Sequence, residues 1–312
     1  MDNLRLGLRK ALAALQRPRR SSSAAKNDLL QRPPTDPDYK WMGGRRFNGI
    51  KGLAYVLPND STEVDRLIGQ HYLVKEVFGS LFRAPVEDLV KEGAIVLDVG
   101  CEMATQYPDS QFLGLDISDY FPHDIKPANS TFAVCNVVKG LSEYEDNTFD
   151  YIFQRFMVPC YTKEDWNFVI KELHRILKPG GYLECWEMDA EAQCRGPEST
   201  SVDKRSREAM EQRGLDPLVA RRLTSIFALS GLTCVQSVNR SVPLGWDDSM
   251  IGKLQMQLAR EEARSLRPFI TKVFNISPED YDASAERGFN ECAEYHTYIN
   301  YVAAYGKKAT GH

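Results

Sequence analysis

The chain has 312 residues, of which 43% are hydrophobic and 26% charged, and its formal net charge is −4. This composition is typical of a globular protein that buries a sizeable core, and the small negative charge excludes a general attraction to nucleic acid. Seven scattered cysteines without a C-x-x-C pair, and no apolar run near the roughly 18 residues that cross a bilayer, indicate an intracellular protein of the cytoplasm or nucleus, with no disulfide framework, metal site or membrane span.

The first 46 residues form a basic segment that differs from the rest of the chain. They contain 11 Lys and Arg against 4 Asp, and they include the run RPRRSSS. We predict a disordered basic tail over residues 1–46. Two interpretations of this tail remain open: a solvated segment with a short transient helix, or a mitochondrial presequence, against which Asp2 counts. The helix would carry four leucines on one face, Leu4, Leu8, Leu12 and Leu15.

Ordered sequence is expected to begin near Arg46, and one domain is predicted over residues 47–308 with its core at 87–190. Asp60 suits the N-cap of a first helix, and Glu63 three residues later completes a pair like a capping box. Apolar spacing then predicts a helical face along Val64, Leu67, His71, Val74 and Val77.

Five short apolar runs follow, and each is predicted to be a strand. They are AIVLDV, QFLGLD, TFAVCNV, FDYIFQRF and YLECWE, which begin at residues 94, 111, 131, 149 and 182. A helix between the fourth and fifth runs is predicted from Thr162 as N-cap and Asp165 three residues on, and KPGG ends it. The alternation predicts an α/β fold with a doubly wound, mainly parallel sheet.

The last third of the chain is predicted to complete this sheet and to cover it. Two further strands, LTCVQSVNRSVPL and HTYINYVAAYGKK, give seven strands in all and a late antiparallel hairpin. Residues 196–230 and 247–270 have helical patterns, and we expect them to form a helical cap over the functional site.

Polar side chains stand where the predicted strands end. Because ligands of such sheets bind outside the carboxyl ends of the strands, these residues are candidates for a binding site. An acidic side chain after the second strand can accept both hydroxyls of a ribose, although Asp116 can alternatively just cap the turn DIS. The polar residues at the strand ends are Asp98, Gly100, Asp116, Asn136, Gln154, Arg155, Glu187 and Asp189.

Several segments together resemble the class I S-adenosylmethionine-dependent methyltransferases, especially the fungal group that includes regulators of secondary metabolism. The segments are YVLPNDSTEVDRLIGQHY, VLDVGC, FLGLDIS, CNVVKGLSEYEDNTFDYIFQRF, ELHRILKPGGYLECWEMD and YVAAYGKK. The resemblance implies a Rossmann-like methyltransferase fold, S-adenosylmethionine as cofactor, and residues 55–71 lying over it. The cofactor site it implies consists of Asp98, Gly100, Cys101, Asp116, Ile117, Asn136, Val137 and Gln154.

The chain departs from that family at its first motif. The family pattern is a strand, a G-x-G-x-G turn and a helix, whereas this chain reads D-V-G-C-E and lacks the second and third glycines. By comparison with the pattern, about seven residues are missing between Cys101 and Glu102. Only eleven residues, 100–110, remain to return the chain to the next strand, close to the minimum of about 10–12 for such a crossover.

The missing glycines matter most for the cofactor. The turn normally brings backbone N–H groups and a helix N-terminus to the ligand's carboxylate. Glu102 instead places a negative charge there, and two like charges about 4 Å apart repel by roughly 4 kcal/mol at an effective dielectric constant near 20. We therefore expect weak cofactor binding.

Three interpretations remain open: an active methyltransferase, a methyltransferase-fold interaction or regulatory protein with impaired activity, and a truncated isoform of an active enzyme. A dinucleotide-dependent dehydrogenase would need G-x-G-x-x-G at the same turn, which is absent. The methyl acceptor is unidentified, either a small molecule or a protein. No catalytic residue is assigned, and the candidate bases are His71, Glu187, Asp189 and His296.

Overall fold

The computed structural model describes residues 39–50, 53–99, 107–118 and 127–310. It begins with an antiparallel pair of strands, β1 (Tyr39–Met42) and β2 (Arg45–Asn48). Gly43 and Gly44 connect them with φ angles of 54° and 75°, a backbone conformation that glycine adopts without strain. The disordered tail predicted over residues 1–46 is therefore too long, because residues 39–46 belong to this pair of strands. Residues 1–38 lie outside the described part of the chain.

The first helix, α1 (Ser61–Phe78), has the predicted N-cap but a different buried face. The Asp60 side chain accepts from the Glu63 N–H at 3.1 Å, but Glu63 does not close a capping box, because its carboxylate binds Arg66 and Ser265. The buried positions in the first half of the helix are polar, whereas Leu67 is 39% exposed. The prediction that Val64, Leu67 and His71 lie on the buried face is thus wrong, because the buried face of this half of the helix is shifted by one residue. The buried residues are Glu63, Arg66, Gln70, Leu73, Val74 and Phe78.

The described residues form a main sheet of seven strands. They are β3 (Ile95–Val99), β4 (Gln111–Asp116), β5 (Ser130–Val134), β6 (Phe149–Arg155), β7 (Leu177–Met188), β8 (Leu232–Pro243) and β9 (Tyr298–Lys308). Their order across the sheet is β5-β4-β3-β6-β7-β9-β8. Neighbours from β5 to β7 are parallel, while β9 is antiparallel to both β7 and β8. This is the predicted doubly wound sheet with a late antiparallel pair.

Helices pack on both faces of the sheet. After α1 come α2 (Glu87–Glu92), α3 (Lys163–Ile176), α4 (Pro197–Glu211), α5 (Leu223–Leu229), α6 (Met250–Phe274) and α7 (Pro278–Glu291). The α3 helix starts at the predicted capping box, in which Thr162 and Asp165 bond each other's backbone N–H groups. Its apolar face, which includes Trp166 and Leu173, is fully buried in one core, while α1 and α2 contribute to a second core.

The cap region differs from its prediction in two places. The pattern over residues 196–230 is two helices, α4 and α5, because Gly214, with φ of 78°, and Pro217 interrupt it. The α7 helix was not predicted. Ser277 as N-cap and Pro278 at the first helical position are a recognisable helix start. The buried face, however, carries the small residues Ser284, Ala285 and Gly288, so the sequence shows no apolar stripe of leucines there. No helix in the described ranges is both long and apolar enough to span a membrane.

The short crossover after β3 is compatible with the sheet. β3 and β4 pair in parallel at five positions, from Ile95 opposite Gln111 to Val99 opposite Leu115. The eleven residues from 100 to 110 therefore suffice to return the chain. The turn with Gly100, Cys101 and Glu102 itself lies outside the described residues.

A buried carboxylate fastens the loop before α2 to the middle of the sheet. Glu184 on β7 is fully buried. It accepts from the Arg83 N–H at 2.6 Å, from the Ala84 N–H at 2.8 Å and from the Tyr151 hydroxyl at 2.8 Å. The Trp186 indole N–H is a fourth donor. Four donors thus depend on one side chain.

We predict that Glu184→Gln lowers the free energy of unfolding by about 3 kcal/mol, because a buried amide has one acceptor oxygen and leaves donors unsatisfied. Urea denaturation followed by tryptophan fluorescence measures this change. Glu211→Gln, at the exposed end of α4, is the control and should change stability by less than about 0.5 kcal/mol. Equal stability of the two variants would contradict the role of Glu184.

Candidate functional site

The carboxyl ends of the central strands bring the predicted polar residues to one edge of the sheet. Asp98 lies beside Gly114 of β4 and Phe153 of β6, and Val99 lies beside Leu115 and Gln154. Asp116 ends β4 one residue further along. From β3, the strands β4 and β5 are added on one side and β6 and β7 on the other. Ligands of doubly wound sheets bind at this switch point between β3 and β6.

Asp116 is exposed at the end of β4. Its Oδ1 accepts from the Ser118 N–H at 2.7 Å, so the alternative role as a cap of the turn DIS is real. The Ser118 hydroxyl in turn accepts from the Asn59 amide at 3.3 Å, which joins this turn to the segment before α1. The residue as a whole is exposed, but burial of its carboxyl group raises the pKa of Asp116. The turn bond engages only Oδ1 of the carboxylate.

Asn136 and Val137 lie next to Asp116. The Cys135 N–H donates to the Asp116 carbonyl at 2.8 Å, so the ends of β4 and β5 are held together. Asn136 caps the short 3₁₀ helix Val137–Lys139 and is half-buried, as is Ile117, while Val137 is 7% exposed. This edge thus combines one carboxylate, one amide and apolar side chains.

Asp98 and Gln154 point to opposite faces of the sheet, because Asp98 is level with Phe153, the neighbour of Gln154 along β6. Asp98 is 1% exposed and lines a small cavity beneath α1 with His71, Lys75, Arg155 and others. Gln154 is fully buried on the α3 side. Apart from the neighbouring Cys185 thiol, its amide has no polar partner in the described part of the chain.

His71 of α1 contacts Arg155 at the end of β6, with 2.9 Å between the imidazole Nδ1 and the guanidinium Nη1. Burial, together with the charges of Arg155 and Lys75, lowers the pKa of His71 to about 4. The imidazole is therefore neutral at physiological pH, and since Nδ1 accepts from Arg155, Nε2 carries the proton. His71 is better suited to donate a hydrogen bond than to act as a general base.

The other candidate bases are held in structural contacts. Glu187 is fully buried and accepts from the Met157 and Val158 N–H groups at 2.9 and 3.2 Å, and burial raises its pKa to about 8. Asp189 pairs with Arg221 at 2.7 Å. His296 packs edge-on against Trp246 with ring centroids 4.7 Å apart. Each of the three is thus engaged by other residues of the protein.

The aromatic side chains near the strand ends mostly belong to the core. Tyr151, Phe153, Tyr161 and Trp186 are at most 3% exposed, so core packing accounts for them better than an acceptor pocket does. Phe156 differs, because it is half-buried and has a φ of 56° directly after β6. Within the described ranges, no three His, Cys, Asp or Glu side chains cluster as a metal site would require.

Sequence reasoning missed the polar face of α1. Glu63, Arg66 and Gln70 are all at most 5% exposed, and they face Ser265 and Glu262 of α6. A signal was available: polar residues at positions 63, 66 and 70 repeat with helical spacing on one face. Because polar residues are rarely buried, the sequence favours the apolar face one position away.

Comparisons with known proteins agree with this architecture. A family model described as a methyltransferase domain matches residues 97–185. N-methyltransferase verN of Clonostachys rogersoniana is 30% identical over 46% of this chain and 54% of its own length. Secondary metabolism regulator LAE1 of Cochliobolus heterostrophus is 31% identical over 48% of this chain and 51% of its own length. The chain thus spans about half the length of these curated relatives.

A solved phosphoethanolamine N-methyltransferase 2 from Haemonchus contortus, in complex with S-adenosyl-L-methionine, matches 94% of this chain and 61% of its own, with 19% identity and a TM-score of 0.45. The matched domain covers β3 to β7, the parallel half of the sheet that carries the polar edge. Residues 97–185 of the chain thus match a methyltransferase domain, and about half of the chain is similar to fungal methyltransferases and to fungal regulators of secondary metabolism.

Proposed function

We propose that the protein binds S-adenosylmethionine at the carboxyl edge of β3, β4 and β5 and transfers its methyl group to an acceptor. The observation that carries this proposal is the Asp116 carboxylate at the end of β4 beside Asn136, within residues 97–185 that match a methyltransferase domain. A carboxylate at the end of the second strand accepts both ribose hydroxyls and repels a 2′-phosphate, so an adenosine ligand suits the edge.

The adenosine half of the cofactor fits the residues present. Asp116 would accept from the ribose, Ile117 and Val137 would pack against the adenine, and the Asn136 amide would bond the adenine edge. The methionine half would face Asp98 and the turn at Gly100 and Cys101. The two residues of this turn lie outside the described part of the chain. From sequence, that turn lacks the glycines that such a ligand requires.

When bound, the cofactor supplies an electrophilic methyl group. The protein's own contribution is alignment of the two reacting atoms, which accounts for most of the rate enhancement in such transfers. In this chain, α1 would cover the site, and its neutral His71 is held by Arg155 at the end of β6. We assign His71 a positioning role.

One observation favours a second function. The shortened turn after Cys101 predicts weak cofactor binding, as expected of an interaction or regulatory protein with impaired activity or of a truncated isoform. Several relatives are named secondary metabolism regulators, whereas others are named methyltransferases. These names fit both alternatives.

We predict that replacing Asp116 with Ala weakens binding of S-adenosylhomocysteine at least about tenfold, because two charge-assisted hydrogen bonds to the ribose are lost. Isothermal titration calorimetry measures the affinity. Asp109→Ala, at the exposed turn before β4, is the matched control and should leave it unchanged. An unchanged affinity in Asp116→Ala would remove the ribose assignment.

We also predict that insertion of about seven residues with the G-x-G pattern between Cys101 and Glu102 raises the affinity for S-adenosylhomocysteine from millimolar to micromolar. The inserted glycines would let backbone N–H groups approach the ligand's carboxylate. A seven-residue serine and alanine insertion at the same place is the control. Micromolar binding by the unmodified chain would contradict the importance of the missing turn.

A further inference from the structure

A buried carboxylate at the end of β7 holds the loop that follows β6. Glu187 is fully buried, and its two oxygens accept from successive backbone groups of the loop. Oε1 accepts from the Met157 N–H at 2.9 Å, and Oε2 accepts from the Val158 N–H at 3.2 Å. The Trp186 carbonyl, one residue earlier on β7, accepts from the Phe156 N–H at 2.9 Å. Three consecutive N–H groups of the loop are thus bound by two consecutive residues of β7.

The loop has an unusual backbone conformation at these contacts. Phe156 has a φ of 56°, which is rare for a bulky residue and persists where the surrounding contacts require it. The Met157 carbonyl then accepts from the Cys160 N–H at 2.9 Å and from the Tyr161 N–H at 3.2 Å, which closes the turn before α3. Because the strained residue directly precedes the two N–H groups that Glu187 binds, this carboxylate helps to maintain the conformation.

The same loop borders the carboxyl edge of the sheet. Burial raises the pKa of the half-buried Cys160 thiol, and the charges of Asp116 and Glu187 raise it further. Burial also raises the pKa of the Tyr55 hydroxyl, to which the charges of Glu63, Cys160 and Asp116 add. The loop thus lies between Glu187 and the residue that is proposed to bind the ribose.

Glu187 makes these contacts without a compensating cation. No Lys, Arg or His of the described ranges forms an ion pair with it, and Arg221 pairs instead with Asp189, two residues further along. Its partner on β9 is the apolar Val302. The titratable side chains whose pKa values the charge of Glu187 raises are Cys160, Tyr161 and Cys185. Burial is the main cause of each of these three raised pKa values, so all three groups are neutral at physiological pH.

The strength of the contact depends on the charge of Glu187. Burial raises its pKa to about 8, although the Met157 and Val158 N–H groups lower it. The ionised carboxylate offers one acceptor oxygen to each N–H group. The protonated form carries a hydrogen on one oxygen, so one of the two N–H groups then faces a weaker acceptor. The loop is therefore held at both N–H groups only by the ionised form.

We propose that Glu187 is a positioning residue for the cofactor site. By binding the Met157 and Val158 N–H groups, its carboxylate holds the loop after β6 beside Asp116 and so sets the affinity for the adenosine part of the ligand. This inference rests on the proposed binding of S-adenosylmethionine at the carboxyl edge. In this role Glu187 acts through the loop and not on the ligand.

The Val158 amide reports this contact without any ligand. The chain contains one Met-Val dipeptide, so ¹³C-carbonyl methionine and ¹⁵N valine together select the Val158 N–H signal in a carbonyl-filtered NMR spectrum. We expect its chemical shift to titrate with a midpoint at about pH 8. Glu187→Gln should remove this titration, whereas the exposed Glu294→Gln is the matched control and should retain it.

Adenosine, which has no group that titrates between about pH 7 and pH 9, then measures the effect on binding. If the ionised form of Glu187 is the competent one, its fraction rises from about 9% to about 91% over this range, and the affinity should rise about tenfold. Ligand-observed NMR on the full chain measures the affinity. Glu187→Gln should bind adenosine equally at both pH values, and Glu294→Gln should show the full increase. Thermal melts verify that both variants are folded.

A Val158 signal that does not titrate near pH 8 would overturn the contact, and this measurement on the unmodified chain requires no variant. Equal adenosine affinity at the two pH values, or a pH dependence that survives Glu187→Gln, would overturn the positioning role. Adenosine binding without a pH difference contradicts only the role of Glu187, whereas no binding at either pH contradicts the proposed cofactor site.

Discussion

Parallel pairing of β3 with its two neighbours is the interaction on which the site depends. It sets Asp98, Asp116 and Gln154 at one edge of the sheet, at the point where the chain changes direction across it. The crossover from β3 to β4 is unusually short, yet the register holds over five residue pairs. The pairing of the two strands is therefore compatible with a shortened turn. We expect the shortened turn to reduce the affinity for the ligand instead.

The α1 helix joins the candidate edge of the sheet to α6. Its second half packs apolar residues such as Leu73 and Val74 in a core, and its His71 meets Arg155 at the end of β6. Its first half turns a polar face toward α6, where Glu63 accepts hydrogen bonds from both Arg66 and Ser265. One helix thus holds the end of β6 with one face and α6 with another.

The sheet could be predicted because its signals are local and strong: continuous apolar runs, KPGG after a helix, and the Thr162–Asp165 capping box. Prediction failed where tertiary contacts override local pattern. β1 and β2 depend on each other and on the turn at Gly43 and Gly44. The α7 helix buries small residues, and α1 buries an ion pair that satisfies itself. The polar residues at the strand ends could be read from the sequence, whereas the polar contact between α1 and α6 required knowledge of which helices meet.

A crystal structure of the protein soaked with S-adenosylhomocysteine at millimolar concentration tests the central claim most directly. The account predicts adenosine at the carboxyl edge, with both ribose hydroxyls about 3 Å or less from the Asp116 carboxylate. A crevice that stays empty, or that protein side chains fill, would contradict it.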